Sequence, residues 1–258
     1  MPFSQYLRLI DVMARMALRA DASRFFLGYI WWILEPLLWV AVFFTVFVLI
    51  LGTQQPSFLI FLMTGKLVFV WYSKSVTQAS ISIINSKGLV GKINVSKTLF
   101  PMAVVQEGLY RQVAVFALLF GFLVSSGHPV TATWWYLVPV ILVTYVMILA
   151  SAFVGACLVC LARDFIQLIS LAMMFLMFVS GIFWDIRGIS DPHKADVVMA
   201  LNPLAFIVDS YRQIMMHNTP PDMVHLLTIG AGSGALLCAV VLFMRRGSQY
   251  LALKALTA

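Results

Sequence analysis

Long apolar runs separated by short polar segments dominate the hydropathy pattern of this chain. Six runs lie at residues 27–51, 57–84, 99–125, 134–161, 165–184 and 223–244. Each is long enough, at ~20 residues or more, to cross a membrane as a helix. In the preceding segment, 5–20, Arg8, Asp11, Arg15 and Arg19 recur at helical spacing on one face, with Asp11 and Arg15 placed to pair. The pattern predicts an all-α polytopic membrane protein with six transmembrane helices and an N-terminal amphipathic helix in the membrane interface.

Composition and charge agree with a membrane protein and orient it. Hydrophobic residues make up 62% of the 258 residues and charged residues only 10%, whereas soluble domains are roughly a quarter charged. With both termini in the cytoplasm, eleven of the 17 Lys and Arg residues lie on the cytoplasmic side, as the positive-inside rule requires. Membrane orientation therefore explains the net charge of +7, and no nucleic-acid partner is expected.

The region at residues 185–222, between the fifth and sixth runs, is polar and contains only short apolar pieces. Asn202 and Pro203 have the form of a helix start, with an N-cap asparagine followed by proline at the first helical position. Asp209 and Arg212 lie three positions apart on the helix that follows, a spacing at which their side chains could pair. We expect short re-entrant or periplasmic helices at the outer face of the membrane.

Glu35 is an acidic residue inside the first apolar run. At 1.5 Å per residue it lies ~12 Å from the start of the run, too deep for free hydration, and Pro36 removes a backbone donor beside it. Such a carboxylate is either functional or held in a structural ion pair, and both interpretations stay open. Lys74 and Arg111 are its candidate partners, although Arg111 is also expected to pair with Glu107, four residues away.

Polar residues form a stripe along the second apolar run. They recur at helical spacing as Lys66, Ser73, Thr77 and Ser80, with Lys74 and Gln78 beside them. Lipid would not tolerate this face, so it should look onto other helices or a water-filled path. Trp71 and Tyr72 lie among these residues, and aromatic faces beside polar groups suit sugar rings.

Several kinds of chemistry are absent from the sequence. No G-x-x-x-x-G-K-[ST] loop occurs, so this chain is not expected to hydrolyse ATP. Cys157 and Cys160 form a C-x-x-C within an apolar run and are interpreted as packing residues. The four histidines lack metal-ligand spacing, although Asp191, His193 and His217 remain an alternative metal group. We expect a transport protein without catalytic residues or a bound metal.

Three segments carry a resemblance to a known family. They are R-F-F-L-G-Y-I-W-W-I-L-E-P-L at residues 24–37, K-T-L-F-P at 97–101 and N-P-L at 202–204. Together with the interfacial helix, they make the whole chain resemble the ABC-2 type permeases of bacterial polysaccharide export, which move O-antigen, capsule or teichoic-acid chains. The resemblance implies a homodimer of six-span subunits in the bacterial inner membrane, with two copies of a separate ATPase that binds ATP and Mg²⁺. This chain itself would bind no cofactor.

The resemblance also implies where the functional residues lie. A lipid-linked glycan would pass from cytoplasm to periplasm through a channel at the dimer axis. The channel residues expected are Tyr29, Trp31, Trp32, Glu35, Trp39, Lys66, Trp71, Tyr72, Lys74 and Gln78, with Lys66 or Lys74 as a point charge for a pyrophosphate linker. The coupling segment, 86–98, would contact the ATPase through Lys87, Leu89, Val90, Lys92, Ile93, Val95 and Lys97. The periplasmic gate would include Asn202, Pro203, Phe206 and Tyr211.

Two alternative functions stay open. A drug- or lipid-efflux permease of the same superfamily would share this topology without a continuous aromatic path wide enough for polysaccharide. A membrane-embedded transferase acting on polyprenyl-linked sugars would require acids or histidines clustered at one membrane face. The acids and histidines of this sequence are scattered along the chain, which argues against the transferase.

Overall fold

The computed structural model of the chain describes residues 3–24, 26, 28–50, 52, 57–90 and 96–247. The regular secondary structure of these residues is helical. The helices are α1 (Phe3–Arg24), α2 (Trp31–Phe44), α3 (Phe58–Ser80), α4 (Ser82–Asn85), α5 (Lys87–Val90), α6 (Leu99–Ser125), α7 (Leu137–Leu161), α8 (Phe165–Val179), α9 (Pro192–Leu201), α10 (Pro203–Met215) and α11 (Met223–Arg246). Short 3₁₀ turns at Gly28–Ile30 and Ala132–Tyr136 lead into α2 and α7, a third lies at Ile186–Gly188, and a π-helical turn at Thr45–Ile50 extends α2. The expectation of an all-α protein is confirmed.

Five helical segments in the described part of the chain are long and apolar enough to cross a membrane. They are Gly28–Ile50, Phe58–Ser80, Leu99–Ser125, Ala132–Leu161 and Met223–Arg246. The remaining predicted run, 165–184, holds a shorter helix, because α8 has 15 residues and is ~22 Å long, against ~30 Å of hydrocarbon. A tight turn follows it, in which Gly181 adopts φ +67° and a Cβ would lie 2.5 Å from the Ile186 side chain.

The third helix, α3, is the centre of the protein. In the most apolar 18-residue stretch of α3, 78% of the residues are buried. The corresponding stretches are 50% buried in the segment that contains α7 and 28% buried in α6. Two close approaches make this packing feasible, because a Cβ at Gly108 of α6 or Gly155 of α7 would collide with the hydroxyl of Ser75 or Ser80 on α3. The serines of the predicted polar stripe therefore include one, Ser80, that faces a neighbouring helix.

Polar contacts dock the amphipathic helix α1 against α6. The hydroxyls of Tyr6 and Thr98 lie 3.0 Å apart, and the Tyr110 hydroxyl donates a hydrogen bond to the Asp11 carboxylate. The predicted pair of Asp11 with Arg15 is confirmed, with 3.0 Å between Nε and Oδ1. One face of α1 is thus held on α6, and the rest of the helix is available to the membrane interface.

The Asp11–Tyr110 contact gives a test of this docking. The hydrogen bond from Tyr110, and secondarily Arg15, holds the pKa of Asp11 below its usual value of 3.8. A depressed carboxylate pKa stabilises docking at neutral pH and loses that contribution as the pH falls through the lowered value. We expect Tyr110→Phe to raise amide hydrogen exchange in residues 3–24 several-fold at neutral pH, as measured by mass spectrometry. Arg19→Gln, at an exposed position of α1, is the control, and equal exchange in both variants would contradict the docking.

The start of α10 follows the prediction, but the ion pairing within it does not. Asn202 caps the helix by accepting from the amides of Leu204 and Ala205, and Pro203 is its first residue. The possible pair of Asp209 with Arg212 does not form, because Arg212 binds backbone carbonyl oxygens outside α10 and Asp209 binds other side chains. Asp209 accepts from Arg187 at 2.9 Å and from the side chain of Gln213 at 2.6 Å.

Arg212 is instead the polar anchor of α10. It is 3% exposed and donates to the carbonyl oxygens of Gly181 at 2.6 Å, Ile182 at 3.0 Å and Phe61 at 3.2 Å. Its guanidinium also lies 3.4 Å from the ring centroid of Phe61. Gly181 and Ile182 belong to the turn after α8, outside any helix, and a guanidinium with five donors suits several such carbonyls. Arg212 thus joins α10 to α3 and to that turn.

Candidate functional site

A polar cleft opens between α2, α3 and α6. Its polar lining residues come from all three helices: Glu35 of α2, Lys74, Ser75 and Gln78 of α3, and Arg111 and Gln112 of α6. The indole rings of Trp32 and Trp71 contribute apolar walls. About 60 Å³ of the cleft admits water-sized groups. The structure therefore brings together Trp32, Glu35, Trp71, Lys74 and Gln78, which are half of the predicted channel residues.

The partner of Glu35 is Lys74. The Lys74 ammonium donates to Glu35 Oε2 at 2.6 Å, so the carboxylate in the first span is neutralised from the second. Their side chains are 32% exposed for Glu35 and 43% for Lys74, whereas Trp71 and Gln112 are 3% and 4% exposed. The ion pair therefore lies at the mouth of the cleft, and Trp71 and Gln112 lie at its floor.

Arg111 is shared by two carboxylates. It pairs with Glu107 one turn earlier on α6, as predicted, and also with Asp21 of α1 at 3.1 Å. Trp32 completes this group, because its indole N–H donates to Asp21 at 3.1 Å and its ring lies 5.3 Å from the Arg111 guanidinium. The sequence analysis did not single out Asp21. The available indication was an acidic residue near the end of a largely basic helix, just before the first span.

These ion pairs leave the cluster with an excess of negative charge. Asp21, Glu35 and Glu107 face the two cations Lys74 and Arg111, so the formal charge is −1. Charges inside a membrane segment are costly unless they are paired. The arrangement neutralises both cations before any ligand arrives.

Three buried donors at the cleft have no hydrogen-bond partner among the described residues. They are Trp71 Nε1, Arg111 Nε and Gln112 Nε2. A buried donor without a partner costs about 1–3 kcal/mol, and the residues that carry these three atoms also line the cleft. The α3 and α6 walls of the cleft therefore contain buried polar side chains.

The comparison with known proteins identifies the family to which this chain belongs. Residues 10–216 match the ABC-2 type transporter family. The chain belongs to this family.

Named relatives of this ABC-2 type protein cover most of its length. It is 26% identical over 238 residues to the O-antigen export system permease protein RfbA of Myxococcus xanthus, covering 91% of this chain and 90% of the relative. It is 25% identical over 213 residues to the protein of the same name from Klebsiella pneumoniae, with 82% and 81% covered. The polysialic acid transport protein KpsM of Escherichia coli is 24% identical over 215 residues, with 80% and 81% covered.

The other predicted channel residues of the ABC-2 type protein do not line the cleft. The hydroxyl of Tyr72 is 2.9 Å from that of Ser151 on α7. Lys66 is buried, with its ammonium 3.2 Å from the sulfur of Met177 and 4.9 Å from the centroid of Phe43. Tyr29 and Trp39 are exposed, and Trp31 is half-buried. The predicted stripe on α3 therefore divides between the cleft and packed neighbours, because α3 is surrounded by other helices.

The coupling segment lies partly outside the described residues. Lys92, Ile93 and Val95 fall outside them, and so do the side chains of Leu89 and Val90. Lys87 is exposed at the start of α5, whereas Lys97 is 7% exposed just before α6.

Three of the four predicted gate residues of the ABC-2 type protein, Asn202, Phe206 and Tyr211, are buried, whereas Pro203 is exposed. Besides Asn202 and Pro203 at the start of α10, Phe206 stacks on the His225 ring at 4.2 Å between centroids. Tyr211 is fully buried. The alternative metal group is not assembled, since Asp191 instead caps α9 and no group of three metal-ligating side chains occurs among the described residues.

Proposed function

We propose that this chain is the transmembrane permease subunit of an ATP-driven exporter that moves a lipid-linked polysaccharide, O-antigen or capsule, from cytoplasm to periplasm. The observation that carries the proposal is the family match over residues 10–216, joined to relatives named for O-antigen export and polysialic acid transport along at least 80% of this chain. The charged cleft supports it, because intramembrane ion pairs mark transport pathways in many membrane proteins.

The proposed topology has six spans, with both termini in the cytoplasm. In this arrangement α8 and the turn after it make the fifth crossing, and α9 and α10 form the gate region on the periplasmic side. The distribution of basic residues supports this orientation. The protein would lie in the bacterial inner membrane.

The proposed channel lies at the axis of a homodimer. Support comes from α8, which has no buried residue among those described and exposes the large side chains of Leu171, Phe175 and Phe178. Trp39 of α2 is also 49% exposed. Aromatic faces of this kind suit the C–H faces of sugars, and a second copy of the chain would enclose them away from lipid.

A separate ATPase would supply the energy, in two copies per dimer. The sequence lacks a phosphate-binding loop, so ATP and Mg²⁺ would bind to the partner subunits and this chain would act without its own catalytic site. In this proposal the coupling segment at 86–98 contacts the ATPase, and α1 flanks that contact.

The proposal is tested by purifying the chain together with the ABC ATPase encoded beside it. We expect a stable complex whose ATP turnover rises when lipid-linked glycan is added in nanodiscs. Turnover that responds to drugs or phospholipids but ignores the glycan would instead support an efflux permease. Sugar transfer by the chain without any ATPase would support a transferase, and both results would overturn the proposal.

A further inference from the structure

We propose that the outer face of α1 binds the headgroups of anionic phospholipids through Arg8, Arg15 and Arg19, which together are called the arginine stripe. This surface lies outside the proposed channel. Its ligand is a lipid of the surrounding membrane rather than the exported glycan, so it goes beyond the proposed function.

The spacing and the docking of α1 turn the arginine stripe away from the helix bundle. Arg15 follows Arg8 by seven residues and Arg19 follows Arg15 by four, so the three side chains lie on one face of the helix. All three are exposed. The opposite face is the docked one, because Ile10 and Ala14 are only 3% and 0% exposed.

The two acidic residues of α1 are held by other helices, which leaves the outer face basic. Asp21 pairs with an arginine of α6 at 3.1 Å. Asp11 accepts a hydrogen bond from a tyrosine of α6 and also binds Arg15. Arg8 and Arg19 have no carboxylate partner among the described residues. Two of the three guanidinium groups are therefore available to an anionic ligand.

Contacts at both ends place α1 at the level of the lipid headgroups. The Tyr6 hydroxyl lies 3.0 Å from that of Thr98, directly before α6 begins. Burial raises the pKa of Tyr6, and the hydrogen bond with Thr98 and the nearby charge of Arg245, in the last turn of α11, partly offset this rise. Tyr6 thus adjoins the ends of two membrane-crossing helices. At the other end, only three residues separate Arg24 from Gly28, where the first span begins.

Exposed apolar side chains beside the arginine stripe favour lipid over a protein partner. Val12 and Met16 are 43% and 64% exposed, and each lies one helical turn from an arginine of the stripe. A helix of this kind inserts its apolar side chains at the boundary of the acyl chains. Its guanidinium groups can then bind the phosphate oxygens of the headgroups with two parallel hydrogen bonds each.

Native mass spectrometry of the full chain, released from detergent micelles, tests the proposal. The probes are phosphatidylglycerol and phosphatidylcholine with identical acyl chains, titrated separately. We expect phosphatidylglycerol to bind at least about 20-fold more tightly, because each arginine near an anionic lipid surface contributes about fivefold. Phosphatidylglycerol that carries a diazirine in its headgroup should crosslink within residues 3–24.

Matched double variants separate the arginine stripe from the overall charge of the protein. Arg8→Gln combined with Arg19→Gln should reduce the preference for phosphatidylglycerol to about fivefold or less. Lys87→Gln combined with Arg163→Gln removes the same charge from exposed positions outside α1, and should leave the preference unchanged.

Several results would overturn the lipid site. They are equal binding of the two lipids, crosslinking only outside residues 3–24, a full preference in the Arg8 and Arg19 variant, and an equal loss in the control variant. If the Arg8 and Arg19 variant kept its lipid preference but no longer associated with the ATPase, the arginine stripe would be a protein-docking surface instead. Should that variant fail to fold, the two titrations and the crosslink position in the unmodified chain decide.

Discussion

An Arg212→Met variant is expected to lose about 3–5 kcal/mol of stability, because its side chain joins three elements at a buried point. The substitution leaves the carbonyl oxygens of Gly181 and Ile182 without the guanidinium that now binds them, and each unpaired buried group costs about 1–3 kcal/mol. The contact with the Phe61 carbonyl and ring is lost as well. Thermal unfolding of the purified protein in detergent should show Tm lowered by roughly 10 °C or more.

Lys194→Met is the matched control for this variant. Lys194 is 75% exposed and lies 3.7 Å from Asp191, and exposed pairs of this kind contribute about 0–1 kcal/mol. Arg212→Lys should fall between the two, because an ammonium cannot reach all of these carbonyls at once. Nearly equal Tm values for Arg212→Met and Lys194→Met would show that α10 is held by its apolar packing alone.

A Lys74→Leu variant is expected to export at least tenfold less polysaccharide, because it leaves the Glu35 carboxylate unpaired inside a span. Breaking such a pair by removing one partner costs about 3–5 kcal/mol when it is fully buried, and less here, since both side chains are about one-third exposed or more. Surface polysaccharide measures export, while Tm and membrane insertion measure folding separately.

A double variant and a charge swap separate the role of this ion pair in folding from its role in export. Lys74→Leu combined with Glu35→Leu removes both charges and should restore Tm without restoring export. Glu35→Lys combined with Lys74→Glu rebuilds the pair in reverse and should restore Tm. Full export by the doubly neutral variant would mean that the pair serves only the fold. The exposed Lys194→Leu variant should match the unmodified chain in both measurements.

Features that depend on residues close together in the sequence were predicted better than features that depend on contacts between helices. The all-helical class follows from composition and run length, and the Asn202–Pro203 helix start follows from capping chemistry. The Asp11–Arg15 and Glu107–Arg111 pairs depend on helical spacing alone. Each of these features is determined by residues within a few positions of one another.

The features that were missed depend on which helices face each other. Helical spacing indicates a possible pair of Arg212 with Asp209, but the actual partners of Arg212 come from α3 and from the turn after α8. Tyr72 and Lys74 were placed on one path, yet Tyr72 reaches α7 and Lys74 reaches α2. A helix buried on several sides has no single polar face, so its periodicity could not separate these directions.

The position of Asp21 makes the electrostatics of the cleft depend on a helix that lies outside the span bundle. Asp21 sits at the end of α1, yet its carboxylate neutralises Arg111 and accepts from Trp32. If α1 were drawn away from α6, Arg111 would keep Glu107 alone and the cluster would change from an acidic to a neutral balance. The same displacement would free the Trp32 indole N–H. Movement of α1 at the membrane surface would thus change the charge of the cluster within the membrane, without any movement of α3.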